Sequence, residues 1–405
     1  MLNLPAAVTR FLRPAGLAFL GLALAACTVA PAPDSRLPDR PRFLRPAEGP
    51  ERPVDLSRPV TVALLLPLGS ADLERNRLGT SFLNAAKLAQ ADLEGASLDL
   101  RVYETAGEAE RARAAAARAL AEGAAIIVGP LFGQEAQAVG PAAAEGGVNV
   151  LTFSTTPAVA GGNVFLLGQT ADTEADRLIA YVRAQGLGSV AVFHPQSPSG
   201  QAAAQAVSAA AARRGLPLRT VMDYPRSFQG IQDRARDYAA VHAADGLVLP
   251  EGGQGLVSLA AFLSYYDVSP ARTRFMGLGQ WNSPITLREP ALRGGWFVAP
   301  DPDLFAAFAA RYRAAYGMEP TPIASLAYDG VAAVGALVAE ARAEGDEYPF
   351  AIDRLTDPSG FVGVNGIFRF RRDGMIDRAL AVMEVTPDGF RVLDPAPRSF
   401  PAAGI

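Results

Sequence analysis

The chain has 405 residues, half of them hydrophobic and 19% charged, with a formal net charge of -4. That length allows about two to three lobes of roughly 150 residues each, and the composition is that of a globular chain with a sizeable core, not of a disordered or nucleic-acid-coating one. With two histidines and one cysteine, an internal disulfide, a cysteine-rich zinc site and a histidine metal cluster are excluded.

At the start of the chain, Arg10 and Arg13 precede the apolar run AGLAFLGLALAA over 15–26, which ends in small residues. A charged start, a short apolar middle and a small-residue end form a secretory signal. The run of about 12 residues is too short for a spanning helix, which needs roughly 20. Leu24-Ala25-Ala26-Cys27 resembles the bacterial lipobox. In that family the signal is cut before the cysteine, the thiol takes a diacylglycerol and the freed amine is acylated. Residues 1–26 are therefore predicted to be a leader and Cys27 a lipidation site anchored to a membrane. Several buried acyl chains, at about 0.8 kcal/mol per CH₂, hold where one chain would not. Thr28 stands where an inner-membrane retention signal has Asp, which favours the periplasmic face of the outer membrane. Prolines at 31, 33, 38, 41, 46, 50, 53 and 59 interrupt any helix, so 27–59 is predicted to be an extended, semi-rigid tether. No later segment reads as a membrane span.

From residue 60 short apolar runs alternate with helical patterns. The runs fall at 60–66, 98–103, 124–128, 148–153, 189–193, 216–222, 246–249 and 274–278. Continuous apolar runs of this length fit strands buried on both faces. Between them, Leu78, Phe82, Ala85, Ala89 and Leu93 form one helical stripe, and Ala-rich stretches at 109–121, 134–145 and 200–213 behave alike. The alternation predicts an α/β fold, two lobes each with a parallel sheet flanked by helices. Phe165-Leu166-Leu167-Gly168 and Trp296-Phe297-Val298 follow Gly-Gly turns and read as crossings between the lobes. Helices are expected at about 302–316 and 321–343. Segments 366–371 and 379–385, around Asp373-Gly374, read as an antiparallel hairpin.

Ligands in open α/β sheets bind beyond the strand carboxyl ends. The candidates there are Gly69 and Ser70, the GPLFG turn with Gly129 and Leu131, Ser154, Thr155, Thr156, His194, Glu251, Gln280, Trp281 and Asn282. Backbone N–H groups opening a helix after GPLFG could hold an anion, or the glycines could serve the turn alone. Ser154 to Thr156 could bind a ligand or cap the turn before Pro157. Glu251 could meet a ligand ammonium or be a solvated acid. Trp281 could stack on a ligand or pack the hinge. His194, expected in a loop before Pro195, reads first as structural, and His242 as an exposed helical residue. GLGQWN at 277–282 lacks the third glycine of a dinucleotide fingerprint, and neither a P-loop nor a G-x-S-x-G elbow occurs. No basic stripe points to nucleic acid, and no metal or cofactor is expected.

VALLLPLGS at 62–70, AEGAAIIVGPLFG at 121–133, VNVLTFSTTPAVAG at 148–161 and LAYDGVAAVGAL at 326–337 resemble type I periplasmic binding proteins, the leucine-binding branch above all. More narrowly they resemble the lipoproteins described as penicillin-binding-protein activators. The resemblance implies two lobes closing on hinge crossings, without catalysis, and a serine or threonine such as Ser154 on a ligand carboxylate. The lobes are expected at 60–168 with 299–345 and at 169–298 with 346–395. Two functions follow. One is regulation of a peptidoglycan synthase, the other a lipid-anchored receptor of an importer for amino acids or a related small molecule.

Overall fold

The computed structural model describes residues 52–241 and 244–400. Cys27, its leader, the tether up to 51 and His242 lie outside the described residues.

The first lobe opens with β1 (Val60–Leu66), α1 (Leu73–Ala91), β2 (Leu98–Glu104), α2 (Ala109–Ala121), β3 (Ile126–Val128), α3 (Gly133–Glu145), β4 (Val150–Thr152) and β5 (Val164–Leu166). Its five strands run parallel in the order β2-β1-β3-β4-β5. Strand β1 shows why the apolar run is continuous. Val60, Val62, Leu64 and Leu66 enter one core with Phe82 and Ala85 of α1, while Ala63 and Leu65 enter a second with Ala112, Ala116 and Ala119 of α2. Alternate side chains face opposite sides of the sheet and both sides are covered.

The second lobe holds α4 (Ala171–Ala184), β6 (Val190–Pro195), α5 (Pro198–Arg213), β7 (Leu218–Tyr224), α6 (Phe228–Val241), β8 (Gly246–Val248), α7 (Gly253–Tyr265), β9 (Arg274–Gly277), α8 (Pro284–Leu287) and β10 (Trp296–Ala299). The chain then returns to the first lobe with α9 (Pro302–Tyr316), α10 (Ser325–Glu344), α11 (Ile352–Leu355), β11 (Phe361–Gly363), β12 (Gly366–Phe370) and β13 (Ile376–Arg378). It ends in the second sheet with β14 (Ala381–Thr386) and β15 (Gly389–Asp394). That sheet runs β15-β14-β10-β9-β8-β6-β7, parallel from β10 to β7, with β14 and β15 as an antiparallel edge.

Several expectations are corrected. Residues 164–166 and 296–299 are edge and inner strands, and the crossings follow directly after them, near 167–170 and 300–301. The segment 346–378 packs in the first lobe, not the second. Phe350, Leu355, Phe368, Phe370 and Ile376 share a core with Val62 and Phe82, and Phe370 lies edge-on to Phe165 at 5.8 Å. The third crossing is therefore near 379–380. The hairpin pairs β12 with β13, while 381–386 leaves to pair with β10. The end of the predicted tether is docked: Val54 N–H donates to Glu347 O at 2.7 Å, Arg342 donates to Leu56 O at 2.8 Å, and Val54 and Leu56 pack against the core.

Residues 322–344 are long and apolar enough to cross a membrane by length and composition. In the fold they form the core helix of the first lobe, with Val331, Val334, Leu337 and Val338 buried. On its inner face Asp329 and Arg378 form a buried ion pair at 2.7 Å, which ties this helix to the strand entering the third crossing.

Candidate functional site

The first-lobe half of the site grows from two turns held to each other. After β3, the Gly129–Pro130 peptide is cis. Pro130 O accepts from Phe153 N–H at 3.0 Å and from the Thr152 hydroxyl at 2.7 Å. Gly129 is obligatory in its backbone. It sits at φ +94°, and a Cβ there would lie 2.3 Å from Leu65 O. It shapes the turn and presents no side chain to a ligand. Leu131 is buried in the first core, so it too is withdrawn as a ligand contact.

Helix α3 begins at Gly133 and its start faces Ser154 and Thr156. A Cβ on Gly133 would come 2.8 Å from Thr156 Oγ1 and 3.3 Å from Ser154 Oγ. Ser154, 2% exposed, accepts Thr156 N–H at 3.1 Å. Glu135 in the first turn is buried and takes Phe132 N–H at 3.0 Å. Burial raises its carboxyl above the ordinary range, against the Thr105 hydroxyl, the N–H groups of Phe132 and Leu131, and the charge of Arg75. A cavity of about 460 Å³ opens here, lined by Arg75, Phe132, Gly133, Gln134, Gln137, Thr156, Ala158 and Val159. Thr155 is exposed beside it without lining it. Arg75, Gln134 and Gln137 escaped the sequence reading. The usable signal was Asp72, whose carboxylate caps α1 through Glu74 and Arg75 N–H at 2.9 and 3.3 Å. That cap puts Arg75 in the helix's first turn, beside the strand ends.

Ser70 has a different task. Its hydroxyl accepts Asp72 N–H at 3.2 Å, and its backbone exchanges hydrogen bonds with the Asn76 side chain. It shapes the loop into α1 and does not line the cavity.

The second-lobe half is more closed than the sequence implied. Trp281 is 0% exposed. Its indole N–H donates to Leu249 O at 3.0 Å, and the ring lies against Gly277 and Gly295. It packs the lobe and cannot stack on a solute. Glu251 is 7% exposed and is not a solvated acid. Arg226 grips it through Nε and Nη2, each at 3.1 Å, the Tyr224 hydroxyl donates at 3.3 Å and Gly252 N–H donates at 3.1 Å. Burial and the Glu251 charge push the Tyr224 phenol far up. His194 is buried within β6, not in a loop, with Nδ1 3.0 Å from Pro195 O. Gln280 and Asn282 are exposed in the turn after β9, and Gln280 packs beside Gly252.

The site abuts the first crossing. Gly168 lies so close to Ser154 O that a Cβ would approach it to 2.4 Å. Beyond it, Glu174 accepts from Gln169 Nε2 and from Gly279 N–H, the latter at 3.1 Å. Burial pushes the Glu174 carboxyl up to about 7 against those two hydrogen bonds. Among the described residues no cluster of three or more metal-ligating side chains occurs.

Two α/β lobes joined by three crossings, with a cavity at the strand carboxyl ends of the first lobe, define a two-lobed binding protein. The sequence pattern of the periplasmic binding protein family matches residues 59–390, and the chain belongs to that family. The family is periplasmic and binds without catalysis. The chain is similar in fold to a Rhodospirillum rubrum protein assigned to branched-chain amino acid ABC transport, with a TM-score of 0.72 and 22% identity over 83% of this chain and 100% of that one. A Desulfitobacterium hafniense ABC transporter substrate-binding protein in complex with Leu gives 0.61 and 17% over 83% and 100%. A Rhodopseudomonas palustris BisB5 solute-binding protein in complex with 3,4-dihydroxybenzoic acid gives 0.60 and 15% over 85% and 98%. No curated protein sequence matches the chain.

Proposed function

We propose that this chain is a lipid-anchored solute-binding protein that holds the anionic group of a small molecule in the first-lobe cavity. The observation that carries the reading is the convergence of the α3 start, Thr156, Gln134 and Arg75 on one cavity. Helix-start N–H groups and a guanidinium together favour a carboxylate. The relatives in fold named above, all assigned to transport or solute binding, support the importer-receptor reading over the regulatory one. Thermal-shift and calorimetric titration with small carboxylates tests it, because a ligand that binds only the folded state raises the melting temperature by mass action. A flat response across carboxylates would remove the reading.

Anchoring through Cys27, at the periplasmic face of the outer membrane, belongs to the same proposal and rests on the lipobox-like Leu24–Cys27 segment. Regulation of a peptidoglycan synthase is the second reading, favoured by the VALLLPLGS and GPLFG phrases together with the lipobox-like segment and the Pro-rich tether. Crosslinking and pull-down from membranes addresses it, and repeated failure to enrich a cell-wall synthase would set it aside.

A further inference from the structure

We infer that the solute is an organic anion without an α-ammonium group, a carboxylate on an apolar body, and not a zwitterionic amino acid. The inference rests on the solute-binding reading above and adds the ligand's class.

A receptor for a zwitterion needs an acceptor for the ammonium as well as donors for the carboxylate. The donors are present. Arg75 meets Asp72 only at its Nε, at 3.5 Å. Its two Nη groups have no hydrogen-bond partner among the described residues, and the guanidinium stands 5.7 Å from the centre of the Phe132 ring. Asp72 is committed to the helix cap, and Glu135 turns back to Phe132 N–H. Ser154, almost wholly buried, accepts Thr156 N–H and has no acceptor for its own hydroxyl proton among the described residues. Its hydroxyl oxygen lies beside the start of α3, 3.3 Å from where a Cβ on Gly133 would stand. The remaining walls, Phe132, Ala158 and Val159, are apolar.

The ammonium acceptor is what the second lobe withholds. Two carboxylates stand at the carboxyl ends of β7 and β8, Asp223 within β7 and Glu251 just after β8, and each is already paired with an arginine. Glu251 is held from two sides by Arg226 and covered by Tyr224. Asp223 accepts from Arg234 at 3.3 Å and from Gln196 at 3.2 Å. An ammonium brought to this surface would lose its hydration without gaining a charged partner, a cost that a deaminated analogue avoids.

The test is calorimetric titration of the full chain in detergent with matched pairs: L-leucine against 4-methylpentanoate, and L-phenylalanine against 3-phenylpropanoate. The expected result is that each deaminated acid binds at least about ten-fold more tightly than its amino acid, which corresponds to about 1.4 kcal/mol. Arg75→Gln should weaken the deaminated acid by about ten-fold or more, as loss of a charge-assisted bond does, while its circular dichroism shows the unliganded protein still folded. Arg226→Gln, which releases Glu251, should shift preference toward the amino acid. Equal or tighter binding of the amino acids overturns the inference and leaves the solute-binding reading standing. Absence of binding by all four acids overturns both.

Discussion

The buried pair that ties the first-lobe core helix to the third crossing offers the sharpest test of the fold. Asp329 and Arg378 have side chains 0% and 1% exposed. The Asp329 carboxylate also accepts Val364 N–H at 2.7 Å and Asn365 Nδ2 at 3.3 Å. Arg378 is less well served, since among the described residues its Nε and Nη2 have no hydrogen-bond partner, and its guanidinium stands 4.8 Å from the centre of the Phe368 ring. Asp329→Asn keeps an oxygen for Val364 but strands the guanidinium, and Arg378→Met strands the carboxylate. Breaking one side of a buried pair costs about 3–5 kcal/mol. Removing both charges together leaves neither stranded, so the double variant should be more stable than either single one. Urea unfolding followed by circular dichroism measures this as a shift of midpoint at constant slope. Costs below about 1 kcal/mol for both single variants, or a double variant whose loss is their sum, would refute the idea that this pair is held by mutual neutralisation in a dry site.

Burial raises Glu174 from the ordinary 4.5 to about 7. The folded chain thus keeps this proton to higher pH than the unfolded chain, so this group's contribution to stability falls as pH rises from about 4.5 to about 7 and is level beyond. The full drop is about 3 kcal/mol, and Glu174→Gln should remove that slope from a pH series of unfolding midpoints; an unchanged slope would show that the carboxyl titrates elsewhere. Gly277→Ala should cost about 1–3 kcal/mol through overpacking, since its Cβ would lie 2.1 Å from Trp281; a wild-type melting temperature would contradict the packing role given to that ring. Cys27→Ala should abolish labelling by a palmitate analogue and move the protein out of the membrane fraction, and retained labelling would place the lipid on another residue.

The parts of the fold legible in the sequence were those whose burial is written locally. Strand β1 could be read because six of its seven residues are apolar and they fall on both faces, and α1 because its buried residues recur at helical spacing. Strands β5 and β10 were misread because three or four residues after a Gly-Gly turn carry too little pattern to separate a strand from a linker. Segment 346–378 was misplaced for a different reason. What fixes it is the non-local packing of Phe370 against Phe165 and of Phe368 and Phe370 into the core of Val62 and Phe82, and no local pattern names those partners.

The binding half-sites divide along the same line. Gly133, Ser154 and Thr156 follow strands whose ends the periodicity had fixed, so naming them required only the rule that ligands gather at strand carboxyl ends. Glu251 obeys the same rule and yet is sequestered, because Arg226 reaches it from the loop after β7, which lies on the far side of β6. In a parallel sheet, strand neighbours need not be sequence neighbours: β8 lies between β6 and β9. A charge at one strand end is therefore answered from loops that the sequence lists tens of residues away. Position at the cleft was legible in the sequence, whereas the availability of each charge was set by that interleaving, and availability decides which solute the cleft can take.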